Sequence, residues 1–291
     1  MATQATLSRI AFSRIMLATN LSPESQNVLE YAISFAKRYE SKLFIAHALR
    51  TDVCVRGVEP QWQVHDLMQS NADRELAILE QRKDLKSLRH EIIVRSGEPS
   101  QVLSALASDE NVDLIVMGTH GRGCISQLFL GSTAETMIRK ATCPVLTMGP
   151  HVKPRCLDRF GNILYTTDFS ECSMRALTYA LALAEKDGGE LTMLHVIESV
   201  AISQSELVEW KFDDEEKLSQ MVPIDAVRRP EIAVEVGSPA EEILRLASTK
   251  NTELIVMGSG HGAAVSVHLP GKTLHHVLQR ASCPVLTVCA H

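Results

Sequence analysis

The chain has 291 residues, of which 45% are hydrophobic and 22% are charged, a composition typical of globular proteins. Its net charge of −6, without any basic block, argues against a general nucleic-acid-binding protein. No apolar run approaches the roughly 20 residues that a membrane-spanning helix requires. The N-terminal residues lack the apolar core of a secretion signal, so the sequence predicts a cytoplasmic protein with no membrane partner.

The first half of the chain alternates short apolar runs with helical patterns. Strands are predicted at 15–19, 43–47, 91–95, 114–117 and 145–148. Helices are predicted to begin at Ser22, with Pro23 in the first turn, and to cover 73–88, 99–108 and 133–141. This alternation predicts a doubly wound, Rossmann-like α/β domain, a five-stranded parallel sheet with helices on both faces.

The same pattern occurs twice. Leu114–Gly118 recurs unchanged as Leu254–Gly258, 140 residues later, and segment 19–22 recurs with changes as 167–170, 148 residues later. A repeat of this length is a duplicated domain, because solenoid units run roughly 20 to 50 residues. The sequence therefore predicts two tandem domains of the same fold, residues 1–152 and 153–291.

Glycines cluster between the fourth predicted strand and the helix that follows it. Gly118 and Gly121 end the apolar run, and Gly131 precedes the helix. Glycines let a backbone approach an anion closely, and the start of a helix offers unpaired N–H donors. Ser132 is predicted to cap that helix, with Glu135 completing a capping box. The pattern predicts either a phosphate-binding loop or a tight strand-to-helix turn with no ligand.

The glycine spacing, G-x2-G-x9-G-[ST] from Gly118 to Ser132, resembles the signature of nucleotide-binding universal stress proteins. The flanking segments D-L-I-V-M-G-T-H-G-R-G, L-G-S-T-A-E and A-T-C-P-V-L-T are also similar to that family, and the resemblance covers essentially the whole chain twice. It implies the strand order 3-2-1-4-5 in each half. It also implies ATP as the ligand, with Mg²⁺ arriving on the nucleotide rather than in a protein metal site.

The resemblance implies where a nucleotide would lie in the first half. The end of strand one would contact the nucleoside, the residue after the strand-two histidine would contact the adenine, and the glycine loop would hold the phosphates. The implied residues are Ala18, Thr19, Asn20, Ala48, Met117, Gly118, Thr119, His120, Gly121, Gly131, Ser132 and Thr133. The family's usual acid is an asparagine at Asn20, which brings no charge and could instead be a turn residue.

The second half departs from the pattern, because Gly121 corresponds to His261 and Ser132 to Lys272. An imidazole obstructs the approach of backbone to phosphate, and Lys272 is expected to remove the helix cap, although its charge could pair with phosphate. We expect a degenerate glycine loop here. The residues of a possible second site are Thr166, Thr167, Asp168, Val196, Gly258, Ser259, Gly271, Lys272 and Thr273.

The resemblance implies an ATP-binding regulator of the stress response whose protein partners the sequence does not name. Two other classes stay open: an ATP-hydrolysing or adenylyl-transferring enzyme of the same fold, or a scaffold whose sites are vestigial. We predict no catalytic residue and no metal ligand, because no Ser/His/Asp set is evident and His120 is the only candidate base beside the loop.

The final strands of the two halves, 145–148 and 285–288, fall at a sheet edge in the implied order. An apolar edge strand invites pairing with another strand. In universal stress proteins the corresponding strands pair across a dimer interface. The resemblance therefore implies that the two halves form an internal pseudo-dimer through antiparallel pairing, and a homodimer of the whole chain through other surfaces stays possible.

Overall fold

The fold is that of a computed structural model, which describes residues 10, 12–22, 25–50, 61–119, 130–153, 159–198, 204–259 and 272–289, without the side chains of 61–68 and 204. The first half contains β1 (Arg14–Ala18), α1 (Gln26–Tyr39), β2 (Lys42–Leu49), α2 (Gln61–Glu80), α3 (Lys83–Lys86), β3 (His90–Ser96), α4 (Pro99–Asp109), β4 (Leu114–Gly118), α5 (Ser132–Lys140) and β5 (Val145–Met148). The second half contains β6 (Asn162–Thr167), α6 (Glu171–Asp187), β7 (Glu190–Glu198), α7 (Gln204–Met221), β8 (Glu231–Gly237), α8 (Pro239–Thr249), β9 (Leu254–Gly258), α9 (Lys272–Arg280) and β10 (Val285–Val288).

Among the described residues, the strands form one sheet in the order β3-β2-β1-β4-β5-β10-β9-β6-β7-β8. Neighbouring strands within each half are parallel. The central strands β4 and β9 are buried apolar runs, as expected for strands covered on both faces. The order 3-2-1-4-5 is therefore present twice, which confirms the predicted doubly wound units, and the two units share a single continuous sheet.

The halves meet where β5 pairs antiparallel with β10. Leu146 lies opposite Leu286 at the centre of the pairing. On either side of that pair, Thr147 and Thr287 each donate a hydroxyl hydrogen bond of 3.1 Å to a carbonyl of the opposite strand. The contacts are the same in both directions, so a pseudo-twofold axis passes through the leucine pair, and the predicted antiparallel pairing is confirmed.

Helices on the two faces of the sheet also join the halves. One core packs beneath α1, α2, α6 and α7, the other beneath α4, α5, α8 and α9, and both contain residues of each half. On the first face, Phe35 of α1 lies beside Phe160, with ring centroids 6.1 Å apart. Arg38 forms an ion pair of 2.9 Å with the buried carboxylate of Asp187. On the second face, a Cβ at Gly149 would lie 2.7 Å from a helix carbonyl of the other half, so this linker glycine packs against α9.

Two helix predictions are wrong in detail. Helix α1 begins at Gln26 rather than at Ser22, because the carbonyl of Ser22 accepts the N–H of Ser25 in a turn that precedes the helix. The single helix predicted at 73–88 is two helices, α2 and α3. Arg82 separates them in an extended conformation, and its guanidinium bonds Asp84 at 3.0 and 2.7 Å.

Candidate functional site

The loop after β1 is held by hydrogen bonds to its own backbone. The hydroxyl of Thr19 accepts the N–H of Leu21 at 3.0 Å, and the amide oxygen of Asn20 accepts the N–H of Ser22 at 3.0 Å. Leu21 has a φ of 55°, in the left-handed region that residues other than glycine seldom adopt. Because the oxygen of Asn20 is used in the turn, its NH₂ group is the part of the side chain that is left to donate to a ligand.

A buried histidine ties this loop to the neighbouring strand. Nδ1 of His47, at the end of β2, lies 2.8 Å from the carbonyl oxygen of Thr19. A carbonyl can only accept, so Nδ1 carries the proton. Ala18 and Ala48 flank this contact on β1 and β2 and are half-buried. Small side chains therefore border the point where the first two strands end.

The glycine loop leaves the sheet and returns to it at one point. Thr119 follows β4, is 1% exposed, and donates its N–H to the carbonyl of Met148 at 3.0 Å. Gly131 donates its N–H to the carbonyl of Thr119 at 2.8 Å. Thr119 and Gly131, which flank segment 120–130, are therefore hydrogen-bonded to each other.

The predicted capping box at the start of α5 is wrong. Gly131, not Ser132, is the N-cap residue, and no side chain caps the helix within the described residues. Ser132 is the exposed first residue of the helix, and the N–H of Glu135 bonds the carbonyl of Gly131 at 2.9 Å. Among the described residues, no side chain therefore accepts the first N–H groups of α5, and such groups at a helix start attract an anion. Glu135 is the one acidic side chain in this first turn.

These parts come together because β1 and β4 are neighbours, with Ala18 paired to Met117. Adjacent strands lie about 4.8 Å apart, so the β1 loop and the base of the glycine loop share one edge of the sheet, where the strand order reverses. Met117 itself is buried in the core, whereas Thr133 is half-buried at the start of α5. His120 and Gly121 lie outside the described residues.

The second half repeats the loop after its first strand. The hydroxyl of Thr167 accepts the N–H of Phe169 at 2.9 Å, and Asp168 accepts the N–H of Ser170 at 3.0 Å. Burial raises the pKa of Asp168, but hydrogen bonds from the hydroxyl and N–H of Ser170 and from Ser173 outweigh it, so the pKa lies below its ordinary value. The carboxylate therefore stays ionised at neutral pH.

Helix packing alone requires a glycine at the end of β9. A Cβ at Gly258 would lie 2.5 Å from the backbone nitrogen of Ser173, so α6 packs directly on this position. Next to it, Ser259 is buried, and its hydroxyl has no partner among the described residues. The first glycine of the repeated motif therefore serves helix packing here, whether or not a ligand binds.

The remaining second-half residues are divided between core and surface. Thr166 and Val196 are buried, whereas Lys272 and Thr273 begin α9, with Lys272 exposed. Since the cap in the first half is a glycine, the exchange of Ser132 for Lys272 removes no side-chain cap, which corrects that part of the prediction. Gly271 and His261 lie outside the described residues.

Sequence reasoning missed one contact beside the second loop. Nδ1 of His195 lies 2.8 Å from the carbonyl of Thr167, and its Nε2 lies 3.6 Å from the carboxylate of Asp214 on α7. The ring of Phe169 packs on this histidine, with centroids 4.4 Å apart. The sequence did hold a signal for this contact, because an aspartate occurs at the equivalent position of both halves. Asp66 precedes Asp214 by 148 residues, the offset of the other matches near the start of each half.

One known protein family matches this chain twice. The model of the universal stress protein family matches residues 11–148 and again residues 159–288. The chain belongs to the universal stress protein family.

The similar proteins include tandem members of about the same length. A universal stress protein of Mycobacterium tuberculosis (strain ATCC 25618 / H37Rv) is 21% identical over 289 residues, 94% of this chain and 95% of the relative. The crystal structure of a universal stress protein from Archaeoglobus fulgidus DSM 4304 has a TM-score of 0.71 at 24% identity and covers 97% of this chain and 98% of that one, which shows the shared fold. A universal stress protein in complex with cAMP covers 48% of this chain and 98% of its own at 24% identity, with a TM-score of 0.32, a likeness too weak to carry a ligand across.

Within the described ranges, no group of three or more His, Cys, Asp or Glu side chains is placed to hold a metal ion. No helix in those same ranges is both long enough and apolar enough to cross a bilayer.

Proposed function

We propose that the first half of this universal stress protein binds an adenine nucleotide, ATP, across the ends of β1 and β4. Bound nucleotide would bias the conformation or the partners of the protein, so that it acts as a nucleotide-dependent regulator in the cytoplasmic stress response. The second half is proposed to have lost this capacity.

The observation that carries the proposal is the hydrogen bond between the two residues that flank the glycine loop, next to a helix whose N-cap is a glycine. The hydrogen bond of 2.8 Å from Gly131 to Thr119 brings the start of α5 to the end of β4. A phosphate group there would meet the free N–H groups and the positive end of the helix dipole. The exposed Ser132 and half-buried Thr133 stand at that helix start as further donors.

The nucleoside would lie over the neighbouring strand ends. Ala18 and Ala48 are small enough to admit a flat base, and the NH₂ group of Asn20 offers donors without a charge. A neutral residue avoids repulsion with the phosphates. We expect Mg²⁺ to arrive bound to ATP, held mainly by phosphates and water. We expect little or no hydrolysis, because turnover requires an oriented water and a positioned metal.

Substitution at the first helix residue tests the site in each half with the same change. Ser132→Asp places a carboxylate where the phosphates would bind and should weaken ATP binding about tenfold or more. An acidic residue in the first turn favours the helix itself, so the fold should be unharmed. Lys272→Asp is the matched control at the equivalent position of α9 and should leave ATP binding unchanged. Calorimetry should give one site per chain.

Several outcomes would contradict the proposal. Two equal sites per chain, or equal losses from both aspartate variants, would mean that the second half binds as well. No measurable binding, together with no nucleotide in mass spectra of molecules released from the purified protein, would favour the scaffold class. Steady ATP turnover abolished by His120→Ala would favour the enzyme class.

A further inference from the structure

A cavity of about 60 Å³ opens between α1 and α2 in the first half, beside the β1 loop. Leu17 and Ile45 of the sheet line it, together with Leu29 of α1 and Leu79 of α2, and all four side chains are buried. A water needs about 10 to 15 Å³ measured in this way, and a cavity of about 150 Å³ holds benzene. The space therefore suits a group of a few heavy atoms with an apolar body.

Two of the hydroxyl groups that line the cavity, those of Thr19 and Ser25, are left as hydrogen-bond acceptors. The hydroxyl of Thr19 lies 3.1 Å from that of Ser25, and the Ser25 hydroxyl donates to the carbonyl of Ser22 at 2.6 Å. With Thr19 donating to Ser25, both hydroxyl protons are engaged inside the loop. At these two hydroxyl groups only oxygen lone pairs are left, so an occupant that binds them must bring the donors.

The mouth of the cavity favours a positive charge. Glu75 lines it and is half-buried. Arg82 also lines it, but its guanidinium is engaged by Asp84, whose hydrogen bonds raise the Arg82 pKa, with a smaller contribution from Glu30. Glu75, Arg82 and the Asp84 that pairs with Arg82 together carry one net negative charge.

An exposed apolar side chain also stands at the mouth. Ile78 lines the cavity and is 54% exposed. It lies one turn along α2 from Glu75, so a carboxylate and an exposed apolar side chain are neighbours at the entrance. An amphipathic molecule would meet both features as it enters.

In the second half, larger side chains stand at two of the positions that line this cavity in the first half. Tyr165 stands where the first half has Leu17, is fully buried, and donates its hydroxyl to the carbonyl of Ser173 at 2.8 Å. Phe169 likewise stands in place of Leu21. The ring of Tyr165 therefore reaches from β6 to the start of α6, where the first half has the shorter Leu17.

We propose that this cavity is a binding site for a small aliphatic amine, with the alkyl body on the leucine and isoleucine side chains. The ammonium group donates to the lone pairs of Thr19 and Ser25 and is attracted by Glu75. The proposal does not rest on nucleotide binding, since each could hold without the other.

Three probes of three carbon atoms each, with different head groups, test this: n-propylammonium, n-propanol and propionate, each titrated at neutral pH in the full chain. The backbone amides of Leu21 and Ser25, followed by NMR, should show a saturable shift with n-propylammonium, a weaker response with n-propanol and none with propionate. Equal responses to all three probes, or no saturable response to any, would overturn the proposal and leave a cavity that holds only water.

Two variants separate the head and the body of the ligand. Glu75→Gln should weaken n-propylammonium binding about tenfold and leave n-propanol unchanged. Leu17→Phe should abolish both responses by filling the space. Glu209→Gln, the same charge change on α7, is the control and should alter neither. If Leu17→Phe fails to fold, Glu75→Gln at its half-buried position still decides, because unchanged affinity there would contradict the proposal.

Discussion

The two halves of this protein build the same loop after their first strand and differ in what lies beneath it. Asn20 and Asp168 each accept the N–H two residues ahead at 3.0 Å, and His47 and His195 each bond the preceding strand end at 2.8 Å. The loop geometry is thus fixed by side chains that bond to the backbone. An amide or a carboxylate can do this equally, so the duplication could change the charge of the loop without changing its shape.

The two halves differ in the side chain that lies beneath this loop. The first half has Leu17 and an open cavity, whereas the second has the buried Tyr165 bonded to the start of α6. Lys272 likewise stands in the second half where Ser132 begins α5. The first half has a cavity beside Leu17 and a serine at the first position of α5, whereas the second half has a buried tyrosine at the equivalent strand position and a lysine at the first position of α9. The proposed division into a ligand-binding half and a supporting half builds on this difference.

The largest effect should come from breaking the pairing that holds the halves together. Leu146→Lys combined with Leu286→Lys places two ammonium groups opposite each other at the centre of β5 and β10. Each leucine loses roughly 1.5 to 3 kcal/mol of burial, and like charges directly opposite on paired strands repel. We expect the halves to separate or the chain to unfold, seen as a lower Tm and a larger radius in solution scattering.

The control for this experiment is a pair of lysines at exposed helix positions, Ala105→Lys and Ser248→Lys. These should leave the Tm and the radius close to those of the unmodified protein. If the double variant at Leu146 and Leu286 behaved like this control, the strand pairing would not be what holds the halves together.

A smaller effect should follow from giving the second half the cavity of the first. Tyr165→Leu removes a buried ring and leaves the carbonyl of Ser173 without its hydroxyl donor. We expect a loss of about 2 to 4 kcal/mol in the free energy of unfolding, since deletion of large core side chains leaves a cavity. Tyr165→Phe keeps the ring and should lose only about 1 kcal/mol, the hydrogen bond alone. Equal losses in denaturant unfolding would show that the ring does not fill the space.

The elements of the sheet could be predicted from the sequence because their signals are local. Leu114–Gly118 is a short apolar run, and its exact repeat at Leu254–Gly258 fixed the duplication. The start of α5 could not be predicted in the same way. Ser132 and Glu135 are a good capping pair, but the bond from Gly131 to Thr119 makes Gly131 the last extended residue, so Ser132 is drawn into the first turn.

The contents of the candidate site were predicted less completely than the fold. The strand ends, with Asn20 and Asp168, could be placed from the resemblance and the strand order. The sequence did not predict the contact of Tyr165 with α6 or the cavity beside Leu17. A pattern of apolar residues indicates which face of a strand is buried, but the volume opposite that face depends on residues distant in the chain.

The smallest effect concerns the charge difference between Asn20 and Asp168. Asp168 has a lowered pKa in the folded protein, so it stabilises the fold above the pKa of an unfolded aspartate, about 3.9, and this contribution is lost as the pH falls through the folded pKa. The residue is largely exposed, and solvent screening limits the contribution to well below 1 kcal/mol. Asp168→Asn should keep the turn, as Asn20 does, and remove that contribution to acid sensitivity. Unfolding curves of the two proteins should therefore converge as the pH falls below about 4, and a difference that widens there would mean that the carboxylate stabilises the loop in its protonated form.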